Sequence, residues 1–199
     1  MVRHIIFDLG NVLVEIHPDE VMTDFARRCH QPVEKIKQFY LSALHLDFMT
    51  GLIPPTKFYH YLMEEFQCNL GFDEFLSIWK RVVGGPKPGI PELVEQLAQR
   101  YVLSVCSNTD PWHWETALEK CAFFHHFKYV FLSYELQHRK PDPYIFEYML
   151  KTLQAKAGEC LFIDDTRENI EAAARMGFQV LHAWDAATIE QFLRQQKLL

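Results

Sequence analysis

The chain has 199 residues, a formal net charge of −6 and an apolar fraction of 49%. This length suits one domain, or a domain with a sizeable insertion, and the apolar fraction is ample for a packed core. The net negative charge excludes a broad nucleic-acid or anionic-membrane surface, although a phosphate site needs only local cations and backbone donors. No apolar run approaches the length of a bilayer span, and Asp8 interrupts any signal-peptide core. We therefore expect a cytoplasmic protein that binds a small molecule, with neither nucleic acid nor membrane as a partner.

The cysteines are odd in number, and no two of them stand in CxxC spacing. They are Cys29, Cys68, Cys106, Cys121 and Cys160. This usage predicts reduced thiols, mostly packed in the core, rather than a disulfide framework or a zinc site.

Five short apolar runs predict β-strands. They are HIIF (4–7), YVLSVCS (101–107), YVFLS (129–133), CLFID (160–164) and FQVLHA (178–183). None alternates cleanly between apolar and polar residues, so each strand is expected to be buried on both faces, as in a parallel sheet. Helical patterns separate the later runs, and a last one covers roughly 186–197. The order predicts an α/β fold with a doubly wound, parallel, five-stranded, Rossmann-like sheet.

Residues 16–85 interrupt this alternation, because they contain no convincing strand and are rich in aromatic residues. Four helical patterns fit the segment, over 18–29, 32–44, 55–67 and 72–83. The aromatic side chains predict the core of a small helical bundle. We expect residues 16–85 to form a cap domain, inserted into an α/β core domain of residues 1–15 and 86–199.

Polar and charged residues follow four of the predicted strands, at the edge where open parallel sheets bind ligands. In chain order they are Asp8, Gly10, Ser107, Asn108, Lys140, Asp164 and Asp165. Carboxylates gathered at one edge repel each other unless a cation joins them, and oxygen ligands of this kind suit Mg²⁺. Lys140 and Ser107 are then placed to hold phosphoryl oxygens, and Asp8 is placed to attack phosphorus.

Most of these residues also have a purely structural interpretation, whereas Asp164 resists one because it ends an apolar strand beside a second carboxylate. Asp8 suits a strand terminator, and Ser107 and Asn108 are ordinary turn residues. Lys140 alone is typical of a solvated lysine, and Asp165 suits a helix cap with Glu168 as its reciprocal partner. The order of all four groups, each at the carboxyl side of a strand, favours the chemical interpretation.

Four motifs make the chain resemble the haloacid dehalogenase-like (HAD) hydrolase superfamily over essentially its whole length. They are FDLGNVL (7–13), SNT (107–109), RKPDP (139–143) and FIDD (162–165). Within the superfamily, the chain looks closest to the sugar-phosphate phosphatases with a DLGNV first motif, of the alpha-D-glucose-1-phosphate phosphatase type. The resemblance implies a Mg²⁺-dependent phosphatase acting on a small phosphate ester, with a cap that closes over the site.

The resemblance also implies residue roles. Asp8 is the nucleophile and forms an aspartyl-phosphate intermediate, and it binds the metal together with the backbone carbonyl of Gly10 and the side chain of Asp165. Asp164 supports the metal directly or through water. The phosphoryl group is bound by Ser107, Asn108 and the catalytic Lys140.

Gly10 departs from the superfamily pattern, since most members carry there a second aspartate that protonates the leaving group. General acid catalysis is worth roughly 10²–10⁴-fold, so its loss matters. One resolution is another acid, for which the candidates are Asp110, His113, Glu15 and His17. The other is a leaving group that needs less help, such as the anomeric oxygen of a sugar 1-phosphate.

Two alternatives to a phosphatase stay open on the sequence. A 2-haloacid dehalogenase also uses an aspartate nucleophile but works without metal, and Asp164 and Asp165 would repel its anionic substrate. A non-catalytic binding module with the same fold is the second alternative, because fold alone does not define function.

Overall fold

The computed structural model describes all 199 residues. In chain order its main elements are β1 (His4–Phe7), β2 (Val14–Ile16), α1 (Pro18–Arg28), α2 (Val33–Tyr40), α3 (Ala43–Met49), α4 (Pro55–Glu65), α5 (Phe72–Trp79), β3 (Val83–Pro86), α6 (Ile90–Ala98), β4 (Val102–Ser107), α7 (Pro111–Lys120), β5 (Phe127–Leu132), α8 (Ser133–Leu136), α9 (Pro143–Leu153), β6 (Cys160–Asp164), α10 (Arg167–Arg175), β7 (Gln179–His182) and α11 (Ala186–Gln195). None of these helices has the length and apolar character needed to cross a membrane.

The centre of the molecule is a parallel five-stranded sheet in the order β5-β4-β1-β6-β7. Successive side chains of β1 point to opposite faces of the sheet. Ile5 and Phe7 pack in the apolar cluster that includes residues of α6, α7 and α11. Ile6 packs in the cluster of the other face, with residues of α9 and α10. This arrangement confirms the predicted doubly wound fold and explains why the strands are continuous apolar runs.

The inserted segment folds into five helices, α1–α5, so the prediction of four was wrong. The predicted helix over 32–44 ends at Tyr40, and a separate helix α3 begins after Ser42. The Ser42 hydroxyl accepts a hydrogen bond from the backbone N–H of His45 and so caps α3. A break with its own capping residue is hard to see within a continuous helical pattern.

A two-stranded antiparallel ribbon, β2 paired with β3, connects the cap to the core domain. The sequence predicted no strand within residues 16–85, but the end of this segment lies in β3. The predicted domain boundaries, after residue 15 and before residue 86, fall within this ribbon and stay a prediction.

Aromatic side chains fill the interior of the cap, as expected from its composition. Phe48 stacks on Phe58 with ring centroids 3.9 Å apart. One ring in this cluster belongs to the core domain: Trp112 of α7 is buried there, 5.2 Å from Phe48. The cap and the core domain are therefore joined by shared apolar packing as well as by the ribbon.

Cys29 and Cys68 form a disulfide within the cap. The prediction of five reduced thiols is therefore wrong for this pair. The prediction that the cysteines form no disulfide is wrong for the same reason. The partners are 39 residues apart, so spacing along the chain gives no signal for their pairing. The remaining cysteines, Cys106, Cys121 and Cys160, are free and buried, in line with the predicted packing role.

Candidate active site

The residues that follow β1, β4 and β6 at the carboxyl edge of the sheet line a polar pocket of about 250 Å³. Its lining is Asp8, Gly10, Asn11, Ile16, Ser107, Asn108, Lys140, Asp165, Thr166 and Asn169. The pocket thus contains all the predicted site residues except Asp164, which is fully buried beneath it at the end of β6. Ile16 is its only apolar side chain.

Lys140 is a buried cation with three acceptors. Its Nζ donates to Asp8 Oδ1 at 2.6 Å, to Asp164 Oδ2 at 2.7 Å and to the carbonyl oxygen of Cys106 at 2.8 Å. The neighbouring carboxylates raise the pKa of Lys140 against the effect of burial, so the side chain stays charged. The interpretation of Lys140 as a solvated lysine is therefore wrong.

The carboxylates of Asp8, Asp164 and Asp165 form one cluster, with an oxygen of each within 4.8 Å of the others. Burial raises the pKa of Asp8 to about 7, and the charges of Asp164 and Asp165 act in the same direction against the opposing effect of Lys140. Lys140 alone therefore does not balance the negative charge of the cluster. A divalent cation bound at the cluster would balance this charge.

The hydrogen bonds of the three carboxylates show where a metal ion fits. Asp164 is saturated, because its oxygens accept from Lys140, from Asn169 and from the backbone N–H of Thr166. In Asp8, Oδ2 accepts no hydrogen bond from the protein, and Asp165 Oδ1 has only the Thr166 hydroxyl at 3.3 Å. Asp8 and Asp165 thus keep free ligand capacity, whereas Asp164 anchors Lys140.

Asp165 does not cap the helix that follows it, so that structural interpretation is wrong. The N-cap position of α10 is Thr166, which makes no side-chain capping bond. The Asp165 side chain accepts a hydrogen bond from Asn11 Nδ2 at 2.9 Å instead. Its backbone carbonyl lies 2.8 Å from His182 Nε2 on β7.

Ser107 and Asn108, both predicted to bind a phosphoryl group, differ in what their side chains contact. The Asn108 carboxamide donates to the carbonyl oxygen of Lys140 and accepts from its backbone N–H, both at 2.8 Å. Asn108 therefore fixes the loop that carries Lys140. The Ser107 hydroxyl makes no side-chain hydrogen bond within the protein and borders the pocket, so it is available to a ligand.

Gly10 leaves an apolar surface where an aspartate side chain would begin. A Cβ at Gly10 would lie 3.4 Å from Ile16 Cγ2, at ordinary van der Waals distance. Glu15 and His17, two of the acid candidates, do not line the pocket. These two residues contact each other instead, with 3.8 Å between Glu15 Oε2 and His17 Nε2.

The other two acid candidates, Asp110 and His113, are buried where the cap meets the core domain. Together with Trp79 they form a cluster that we call the seam. Asp110 is the N-cap of α7 and accepts from the backbone N–H groups of Trp112 and His113 and from Trp79 Nε1. His113 Nδ1 lies 2.7 Å from Asp110 Oδ2, and its Nε2 lies 3.0 Å from the carbonyl oxygen of Trp79. Both residues are therefore fully engaged in structural contacts.

Both partners of the His113 ring are acceptors, so both ring nitrogens donate and the imidazole is charged. Burial lowers the pKa of His113, but the Asp110 carboxylate raises it to above its ordinary value of 6.5. The same pairing holds the pKa of Asp110 below its usual range despite burial.

Trp112 and Trp114, at the start of α7, do not border the pocket. Trp112 lies in the cap cluster, and Trp114 packs against Phe124. In contrast, sequence reasoning missed Asn11 and Asn169, the two carboxamides that bind the metal-site carboxylates. The only signal was their position, Asn11 within the first motif and Asn169 five residues after Asp164.

The family model for haloacid dehalogenase-like hydrolases matches residues 2–177. The chain is 24% identical to the D-ribitol-5-phosphate phosphatase of Bacteroides thetaiotaomicron, over 97% of each protein. It is 28% identical to the sesquiterpene phosphatase astK of Aspergillus oryzae, over 96% of this chain and 94% of that one. A HAD family enzyme of Bacteroides thetaiotaomicron, solved in complex with magnesium and inorganic phosphate, superposes with a TM-score of 0.81 at 24% identity, over 91% and 93% of the two chains.

The doubly wound sheet, the helical cap and a carboxylate–lysine cluster at the carboxyl edge define a capped α/β protein with a candidate metal site. The chain belongs to the haloacid dehalogenase-like hydrolase family.

Proposed function

We propose that the protein is a Mg²⁺-dependent phosphatase that hydrolyses a small phosphorylated metabolite through an aspartyl-phosphate on Asp8. The observation that supports this most strongly is the cluster of Asp8, Asp164 and Asp165, with Lys140 bonded to two of the three carboxylates. The relatives named as phosphatases favour the same reaction class.

In this proposal Asp8 Oδ2, which is free of protein hydrogen bonds, attacks phosphorus and the bond from phosphorus to the ester oxygen breaks, while Lys140 holds Oδ1 and orients the carboxylate. Water then hydrolyses the aspartyl-phosphate, which releases inorganic phosphate and restores Asp8. The Ser107 hydroxyl contacts a phosphoryl oxygen. Asp8, the carbonyl of Gly10 and Asp165 would hold the metal, and Asp164 supports it by fixing Lys140. Bound Mg²⁺ would offset the negative charge that a phosphate ester brings to this edge of the sheet.

A direct test measures hydrolysis of para-nitrophenyl phosphate with Mg²⁺, with EDTA, and in the variant Asp8→Asn. We expect turnover that requires Mg²⁺ and disappears in the variant. Asp185→Asn is the matched control, because Asp185 caps α11 outside the pocket and asparagine also caps helices. Turnover that survives EDTA would contradict the metal site, and a fully active Asp8→Asn enzyme would contradict the nucleophile.

For the substrate, we propose a sugar or polyol phosphate, and within that class a sugar 1-phosphate. None of the acid candidates Glu15, His17, Asp110 and His113 lines the pocket, which supports a leaving group that departs with little protonation. An anomeric oxygen is such a leaving group. The relative named for D-ribitol 5-phosphate favours the broader class but not the anomeric position.

The substrate test compares kcat/KM for a hexose 1-phosphate, the same hexose 6-phosphate and D-ribitol 5-phosphate. We expect the 1-phosphate to give the highest value. Equal values for the two hexose phosphates, or a preference for the 6-phosphate or for ribitol 5-phosphate, would contradict the leaving-group argument while leaving the phosphatase proposal intact.

A further inference from the structure

Asn11 has a backbone conformation that few residues adopt. It follows Gly10 in the loop after β1, and its φ of 58° lies in the left-handed region. Glycine enters this region freely, and asparagine is the side-chain-bearing residue that tolerates it well. Glycine would satisfy the backbone at this position equally well, so the presence of asparagine requires a second reason.

That reason is the contact made by the side chain. Asn11 Nδ2 donates to Asp165 Oδ2 at 2.9 Å, across a separation of 154 residues. The bond joins the loop after β1, which carries Asp8, to the loop after β6. It leaves Asp165 Oδ1 with only the Thr166 hydroxyl, at 3.3 Å. Asn11 therefore fixes the orientation of Asp165 while keeping one carboxylate oxygen free.

Asp164 and its carboxamide partner provide a contrast. Asn169 Nδ2 lies 3.1 Å from both Asp164 oxygens, but Asp164 is held as well by Lys140 and by a backbone N–H. The orientation of Asp164 therefore depends on several donors. The orientation of Asp165, which is the carboxylate with free ligand capacity, depends largely on Asn11.

We propose that Asn11 is a positioning residue that sets the metal affinity of the site by holding Asp165 in place as a ligand. The proposal rests on the metal-dependent function proposed above. Partners that orient metal ligands typically contribute about 10–100-fold to metal affinity or activity. An amide donor achieves this orientation without adding a further negative charge to a cluster that already has three carboxylates.

The experiment measures Mn²⁺ binding by electron paramagnetic resonance, with Mn²⁺ as the spectroscopic substitute for Mg²⁺ and without substrate. Asn11→Gly removes the carboxamide and keeps the left-handed backbone. Asn69→Ala removes an exposed carboxamide of the cap, outside the pocket, as a matched control, and thermal melts verify that both variants are folded. We expect Mn²⁺ to bind Asn11→Gly about tenfold or more weakly than wild type, and Asn69→Ala as tightly as wild type.

Asn11→Ala separates the side chain from the backbone, because alanine lacks the carboxamide and also disfavours the left-handed region. Weakened binding in both Asn11 variants supports the proposal. Wild-type affinity in Asn11→Gly overturns the proposal, whether or not Asn11→Ala is impaired. Equal weakening in the remote variant Asn69→Ala overturns it as well. Absence of Mn²⁺ binding in the wild-type protein would instead overturn the metal-dependent function itself.

Discussion

The protein contains two buried clusters in which aspartate pairs with a cation, and they differ in what they leave unsatisfied. At the seam, Asp110 and His113 use all their polar atoms on each other, on Trp79 and on the backbone. At the carboxyl edge, Asp8 and Asp165 keep oxygens without strong protein donors, and these residues border a pocket. A buried ion pair alone therefore does not identify an active site, and free ligand capacity beside a polar pocket is what distinguishes the candidate site from the seam.

The largest expected effect is that of Lys140→Met. It leaves Asp8 and Asp164 buried without their shared cation, and an uncompensated buried charge costs about 3–5 kcal/mol. We expect loss of activity together with a decrease of this size in the free energy of unfolding, measured by urea denaturation without metal. Lys80→Met is the control, because Lys80 pairs with Glu115 at the surface, and we expect a change within about 1 kcal/mol. An active, fully stable Lys140→Met protein would contradict the role of the cluster.

Asp110→Asn, in contrast, is expected to lower the stability of the protein and to leave its activity nearly unchanged. It removes the charge that partners His113 but leaves an acceptor for the N-terminus of α7, and we expect a cost of about 3 kcal/mol in unfolding free energy. The kcat of the folded variant should stay close to that of wild type, since Asp110 does not border the pocket. Activity lost at unchanged stability would show that the seam takes part in catalysis.

The smallest expected effect is a pH dependence at the seam, measured as the difference in unfolding free energy between wild type and His113→Gln. The pKa of His113 is raised above 6.5, so its contribution is full below that pH and is lost as the pH rises through its folded-state pKa. The pKa of Asp110 is lowered below 3.8, so its contribution is present above that pH and is lost as the pH falls through its folded-state pKa.

The difference between the two proteins should therefore be largest between pH 3.8 and 6.5 and decrease on either side. Each unit of pKa shift contributes about 1.4 kcal/mol. The titration of Asp8 is common to both proteins and cancels in the comparison. A difference that does not vary with pH would contradict a charged His113.

The carboxyl-edge site was largely predictable from the sequence, because it depends on strand ends. Apolar runs locate the strands, and parallel strands bring Asp8, Lys140 and Asp164 to one edge. What the sequence could not reveal are contacts set by side-chain direction. Asn11 looks like an ordinary turn residue until its left-handed backbone and its bond to Asp165 are known.

The cap was less predictable for related reasons. Its helical and aromatic character follows from composition, but the division at Ser42 depends on one capping bond. The pairing of Cys29 with Cys68 depends on how the helices pack. The burial of Trp112 in the cap cluster likewise depends on the docking of two domains.

The central claim is that Asp8 becomes phosphorylated, and the most direct measurement is chemical trapping of that intermediate. Borohydride reduces an acyl phosphate but not a free carboxylate, so quenching turnover with borohydride converts a phosphorylated aspartate to homoserine. Mass spectrometry of the peptide that contains residue 8 should show homoserine at that position, only when Mg²⁺ and substrate are both present. Turnover of the phosphate ester without any such conversion at Asp8, or with conversion at a different carboxylate, would contradict the account.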